Sequence, residues 1–310
     1  MPVPVILDCD PGHDDVFAIW LAAADPNIDL RAITSVGGNG YLRDTTRNAL
    51  IATMVAGVAD IPVAAGADEP LVRRLDPAVH IHGKNALGGP TLPDPGRQAD
   101  ARTAVELMCD VIDASDEPVT LNATGPLTNV AHLLRRRPEH ARRLREIVWM
   151  GGSTGRGNMT PYGEFNAWVD PEAAELVVNS GIPFTMIGLN VTHQALITDE
   201  VLARIAAVGN RTAAFGVELL EFFRATYVAN SDLPTAPLHD PVTTALIAYP
   251  DIVTSVETRL DIETTGTETA GATSVDLQGI LGRPHNARVG LELDVPRFWD
   301  VLISALAKLA

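Results

Sequence analysis

The sequence predicts an α/β fold: a mainly parallel central sheet flanked by helices. Two observations carry this. Short apolar, β-prone runs alternate with longer stretches of helical character. Each apolar run also ends in a polar loop rich in Gly, Asn, Asp and Thr, as expected where parallel strands open onto one edge of a sheet.

The strands are VPVIL at 3–7, LRAITSV at 30–36, PVTLN at 118–122, EIVWM at 146–150 and PFTMIGL at 183–189. Helices follow at 14–24, 43–58, 101–115, 127–136 and 170–181, each apolar on one side. Between Asp68 and Arg97 the chain is rich in Pro and Gly with little periodicity. It reads as one long loop, and loops of that length are often functional. No internal repeat interrupts the pattern, and residues 1–310 read as one domain.

Composition narrows the function classes. Hydrophobic residues make up 46% of the 310, enough for a sizeable core. The net charge of −16 disfavours nucleic acid and anionic membranes as partners. The arginines at 135–137, 142, 143 and 145 read as a solvated helix face. With two cysteines, Cys9 and Cys109, neither a disulfide framework nor a thiolate metal site is expected. No signal peptide or membrane span is apparent, so the expected location is cytoplasmic.

The first polar loop is the most informative. DCDPGHDD places Asp8, Asp10, Asp14 and Asp15 within eight residues. Asp8 and Asp10 alternate along a strand end and should face one side. Pro11-Gly12 makes the turn, and Asp14 stands at an expected N-cap. Carboxylates crowded at such a junction repel one another unless something offsets the charge. Converging carboxylates with carbonyls and water suit a hard divalent cation, Ca²⁺ or Mg²⁺. Far along the chain, His239-Asp240 precedes an apolar helix that Asp240 could cap. His239 adds an imidazole able to give a proton near neutral pH. A DxD phosphohydrolase is a competing reading of Asp8-Cys9-Asp10, but Gly12 follows where that class wants Thr or Val, and the polar loops after the strands carry Asn and Glu rather than a Lys for phosphate. A nucleoside- or Ca²⁺-binding module without turnover is the non-enzymatic alternative, opposed by the presence of both Asp10 and His239.

DCDPGHDD at 8–15 closely resembles the N-terminal signature of the inosine-uridine preferring nucleoside hydrolases. The resemblance continues through Asn39 in VGGNG, HG at 82–83, TGPLTN at 124–129, MGG at 150–152, GNMTPYGEFN at 157–166, HDP at 239–241 and GRPHNARV at 282–289. It implies a Rossmann-like fold and a Ca²⁺-dependent enzyme that hydrolyses the N-glycosidic bond of a ribonucleoside to ribose and free base. The route it implies uses metal-activated water and an oxocarbenium-like transition state.

The same resemblance implies residue roles. Asp10, Asp15 and Asp240 hold the calcium through side chains, and Thr124 through its backbone carbonyl. Asp14 and Asn166 hold the ribose 2′ and 3′ hydroxyls. Asn158 and Glu164 hold the 5′ side, Met150 packs near the ribose, and Asn39 lies near the metal. Asp10 is the general base, and His239 is the favoured acid for the leaving base. His82 lies on the base side, and Tyr227 and Arg224 are candidates there. A homotetramer or homodimer is implied. Asn85-Ala86 departs from the acidic residue and glycine expected after His82-Gly83, in a loop that closes over the base. Trp20, Trp149 and Trp168 read as core rather than stacking platforms.

Overall fold

The computed structural model describes residues 1–310. Ten strands are present: β1 (Val3–Cys9), β2 (Ile28–Ser35), β3 (Val63–Ala65), β4 (Thr120–Ala123), β5 (Glu146–Met150), β6 (Phe184–Ile187), β7 (Val253–Thr258), β8 (Leu260–Ile262), β9 (Thr273–Val275) and β10 (Ala287–Leu293). Eight of them form one sheet in the order β3-β2-β1-β4-β5-β6-β10-β7, and β8-β9 make a separate hairpin. Every pairing in the large sheet is parallel except β10 with β7 at the edge.

The order of strands locates the site. From β1 the chain winds outward through β2 and β3, then returns to place β4 against the other side of β1. From β4 it winds the opposite way through β5 and β6. The loops after β1 and β4 therefore part in opposite directions and leave a crevice between them, the usual place for a ligand in such sheets.

All five expected strands are present, and each expected helix lies within a residue or a few of its observed counterpart. The ends have local causes. The helix Ala104–Ala114 starts later than 101 because Thr103 and Glu106 form a reciprocal cap. Asp170 caps Pro171–Val178, with proline at the first turn. The expected 43–58 helix runs Leu42–Val55 and stops before Gly57, whose φ is +74°. The long loop contains one short helix, Val79–His82.

Two expectations are corrected. The helix His13–Ala24 is not apolar on one side only; its residues His13 through Ala22 are buried all round. It lies between the sheet and the helices Leu42–Val55, Arg211–Asn230, Pro241–Ala248 and Val295–Leu306. Its N-cap is Gly12, not Asp14, which lies one position inside the first turn. There the carboxylate is free to point at something other than its own backbone.

The sheet is covered on both faces. Leu7 and Cys9 join the core that holds Phe17, Trp20 and Phe223. Ile6, one residue before Leu7, joins the opposite core with Trp149 and Phe184, as the period of two along a strand requires. Trp20 and Trp149 are buried, each with its indole N–H on a backbone carbonyl, and Trp168 packs partly buried beside Phe165. No helix is long and apolar enough to cross a membrane.

Candidate active site

A cleft opens at the carboxyl edge of the sheet. Eleven of the thirteen expected site residues line it: Asp14, Asn39, His82, Thr124, Met150, Asn158, Glu164, Asn166, Tyr227, His239 and Asp240. The other two, Asp10 and Asp15, are fully buried just behind its floor. Residues from five loops thus meet in one place, as the edge of a parallel sheet allows.

The floor is acidic. Oxygens of Asp14, Asp15 and Asp240 all lie within 4.8 Å of one another, a grouping able to hold a metal ion. Asp15 is held firmly. It accepts from the backbone N–H groups of Asp10 (3.2 Å) and Gly12 (3.0 Å), the Thr124 hydroxyl (2.8 Å) and the Asn39 amide (3.2 Å). Asp10 accepts at Oδ2 from the Asn39 backbone N–H at 2.7 Å. Its Oδ1 is sealed from solvent without a partner, as is Oδ1 of Asp14. A Cβ at Gly125 would sit 2.6 Å from that Asp10 oxygen, so only glycine lets the loop after β4 approach so closely. Asp240 occupies the N-cap position of Pro241–Ala248, but its side chain makes no capping bond. It turns toward the other carboxylates instead.

Such a cluster cannot ionise freely. Burial raises Asp10 well above the usual carboxylate range, with the Asp15 charge adding to it. Asp14 is pushed up to about 8 by burial and by Asp15. Asp240 rises for the same reasons, under the charges of Asp14, Asp15 and Asp10. Orphaned buried oxygens and suppressed ionisation are what an oxygen-ligand cation would relieve. Asp8 stands apart from this group. Its Oδ1 accepts from Thr34 at 2.6 Å and Asn129 at 2.8 Å, below the floor.

The middle of the cleft holds amides and one carboxyl group. Asn166 spends its Nδ2 on the carbonyls of Thr124 (2.8 Å) and Met150 (2.9 Å), which orients the amide. Glu164 caps the helix Phe165–Val169 and accepts from the backbone N–H groups of Asn166, Ala167 and Gly152. Burial nevertheless pushes it up to about 7. Asn158 accepts from the Phe165 backbone N–H at 2.9 Å and keeps its own N–H donors free.

The far wall is aromatic and imidazole-rich. His239 Nδ1 lies 2.7 Å from the Thr192 hydroxyl, and its Nε2 lies 3.3 Å from the Tyr227 hydroxyl. Burial holds His239 well below the usual range and raises Tyr227. Arg224 is not part of this wall: its guanidinium bonds Thr235 at 3.0 Å and Asp199 at 2.5 Å. His82 faces His13, with 3.0 Å between their Nδ1 atoms. The loop after His82 is held by Asn48 Nδ2 on the Asn85 carbonyl at 2.9 Å. Ala86 in this loop carries the one positive φ outside glycine, +60°. That is the conformation for which glycine is expected, so the altered residue keeps the turn at the cost of local strain.

Three contributors were not legible beforehand. Thr192 carries no sequence signal. Phe223 is hidden in an apolar helix pattern. His13 stands in the acidic motif itself, where its neighbours drew the attention.

Residues 5–300 match the family model described as inosine-uridine preferring nucleoside hydrolase. The chain belongs to this family. It is 47% identical over 309 residues to the pyrimidine-specific ribonucleoside hydrolase RihA of Enterobacter sp. (strain 638), covering 99% of both chains. It is 46% identical over 307 residues, again 99% of both, to the protein of that name from Escherichia coli O127:H6. Among solved structures, the purine-preferring ribonucleoside hydrolase from Gardnerella vaginalis superimposes with a TM-score of 0.91 at 31% identity over 98% of each chain. A plant nucleoside hydrolase, PpNRh1, also scores 0.91 at 28% identity over 99% of each. The protein is thus a ribonucleoside hydrolase, and a small-molecule nucleoside is its class of substrate.

Proposed function

We propose that this nucleoside hydrolase is Ca²⁺-dependent and cleaves pyrimidine ribonucleosides to ribose and free base. One observation carries the reading. A single cleft has a cluster of buried carboxylates at one end and a histidine paired with a tyrosine hydroxyl at the other. Between them stand the amides of Asn158 and Asn166 and the carboxyl of Glu164, groups that suit sugar hydroxyls. The two named relatives above 45% identity, both called pyrimidine-specific, support the choice of base.

Asp10, Asp15 and Asp240, with the Thr124 carbonyl, are the ligands assigned to the cation. Their all-oxygen donor set and the orphaned Asp10 Oδ1 fit a hard ion. When bound, the cation supplies Lewis acidity toward water and offsets the repulsion among the carboxylates. Asp10, beside the cation site and oriented by the Asn39 N–H on its Oδ2, takes the proton from the attacking water. Asp14 and Asn166 bind the 2′ and 3′ hydroxyls, Asn39 lies beside the carboxylates, and Asn158 and Glu164 bound the 5′ side, with Met150 against the ribose. Buried carboxylates near C1′ stabilise the positive charge that develops as the glycosidic bond breaks. At the far wall His239 protonates the departing base. In the tautomer whose Nδ1 accepts from Thr192, its hydrogen sits on Nε2, next to Tyr227. His82 contacts the base.

The test is product analysis. Uridine, cytidine, inosine, adenosine and guanosine are each incubated with the enzyme, and ribose and free base are quantified. Equimolar ribose and base, fastest from uridine or cytidine, is the expected result. Faster release from inosine or guanosine overturns the pyrimidine assignment.

A further inference from the structure

His13 is the residue of DCDPGHDD that neither the turn nor the acidic floor uses. It is fully buried. Its ring stacks against Phe222, Phe223 and His82, with centroids 5.3 to 5.4 Å away. Its Nε2 lies 2.8 Å from the Gly88 carbonyl oxygen. A carbonyl only accepts, so this nitrogen carries the hydrogen. No carboxylate hydrogen-bonds the ring, and an imidazolium among phenyl rings would be costly, so the ring is neutral and its Nδ1 is a lone pair.

That lone pair faces His82 Nδ1 at 3.0 Å. Two bare nitrogens at this distance would repel, so the hydrogen between them belongs to His82. The backbone N–H of His13 also points at this His82 nitrogen, at 3.4 Å, and would use its lone pair; at 3.0 Å the ring–ring contact is the shorter of the two and decides the tautomer. The close approach depends on Gly12, where a Cβ would stand 2.6 Å from His82 Nδ1. A neutral His82 with its hydrogen on Nδ1 is bare on Nε2. That nitrogen has no partner in the protein, and His82 lines the cleft.

We propose that His13 is a positioning residue that sets the tautomer of His82, so that His82 accepts a hydrogen bond from an N–H on the edge of the base. The uracil imide and the cytosine amine both offer such a group. The bond from His13 to Gly88 orients the pair, and the same bond ties down the loop that carries His82. The inference rests on the reading of this cleft as the nucleoside site, but its first test does not need turnover.

Nitrogen-15 histidine spectra of the calcium-loaded enzyme report which ring nitrogens bear hydrogen, and the His82 signals are assigned by their loss in His82→Gln. The expected result is a protonated Nδ1 and a bare Nε2 on His82. In His13→Phe, which keeps the stacked ring but has no nitrogen, the His82 preference should be lost. The uridine KM should rise about tenfold with a smaller change in kcat, the size expected for one hydrogen bond. The selectivity for uridine over 3-methyluridine, which lacks the N–H, should fall by a similar factor. His13→Asn, whose Oδ1 can accept where Nδ1 did, should recover most of both. A wild-type His82 protonated at Nε2, or an unchanged selectivity in His13→Phe, overturns the proposal. A wild type with the expected tautomer but no base release from any nucleoside instead defeats the reading of the site.

Discussion

The hydroxyl of Tyr227 lies 3.3 Å from Nε2 of His239, and the hydroxyl of Thr192 lies 2.7 Å from its Nδ1. The imidazole is therefore held at both nitrogens by neutral groups, in a buried wall that keeps it uncharged. A histidine so placed acts as an acid only after taking up a proton from solvent: the imidazolium gives one hydrogen to the leaving base and returns to the neutral form. Replacing it should lower kcat for uridine by about 10² or more, the usual worth of a general acid. Tyr227→Phe should cost about tenfold. With p-nitrophenyl riboside, whose leaving group needs no proton, both losses should shrink to a few-fold. Equal losses on the two substrates would place His239 outside proton transfer.

Stability should depend on pH in a way that reveals the cation. Asp8 and Glu164 are raised by burial to about 7, Asp14 to about 8, and Asp10 and Asp240 well above their usual range. A carboxyl group with a raised folded pKa stabilises the fold while protonated and loses that contribution as pH rises through the folded value. His13, His82, His193 and His239 are lowered by burial and act in the opposite sense below pH 6.5. Above pH 6.5 only the carboxyl groups remain in play. In chelator, Tm should therefore fall between pH 6.5 and 8.5. With calcium present the fall should be much smaller, because the ion favours the ionised cluster. A chelated protein whose Tm is flat over this window would count against the buried-acid account.

Asp14 sits inside the helix rather than at its cap, and that position sharpens its role. It lies inside the first turn, with Gly12 as N-cap and Oδ1 unpartnered. If it holds a ribose hydroxyl, Asp14→Ala should raise the uridine KM about ten- to a hundredfold. It should also narrow the preference for uridine over 2′-deoxyuridine. Steady-state kinetics on the two substrates decide this. A variant that loses rate on both equally would assign Asp14 to the metal cluster alone.

Ala86 offers a test of strain. Its φ of +60° costs an L-residue about 1–2 kcal/mol, and glycine's extra unfolded-state freedom gives back about 0.5–1 kcal/mol of that. Ala86→Gly should stabilise the protein by about 0.5–1 kcal/mol in urea unfolding. Destabilisation would mean that the Ala86 methyl, buried against Gly40, packs well enough to outweigh the strain.

Much of this protein was legible because its chemistry clusters where its topology requires. Asp10, Asn39, Thr124 and Met150 stand at the ends of strands β1, β2, β4 and β5 or in the loops after them, so alternating strands and helices were enough to gather them at one edge. Their individual roles came from resemblance, not from periodicity. The less legible parts had weak local signals. β3 has three residues, and β7 and β10 alternate polar and apolar side chains at the sheet margin, where a continuous apolar run is not needed. The orientation of Arg224 depended on Asp199 and Thr235, contacts across the fold that no local pattern encodes. The His13–His82 pair, 69 residues apart in sequence, is of the same kind.

The most direct test of the central claim is uridine hydrolysis after exhaustive chelation and after readdition of calcium, with Asp10→Ala in parallel. The account predicts that free uracil and ribose cease to form in chelator, return with calcium, and stay at least about 10² below wild type in Asp10→Ala at every calcium concentration. Undiminished hydrolysis by the chelated enzyme, or near-wild-type turnover by Asp10→Ala, would contradict it.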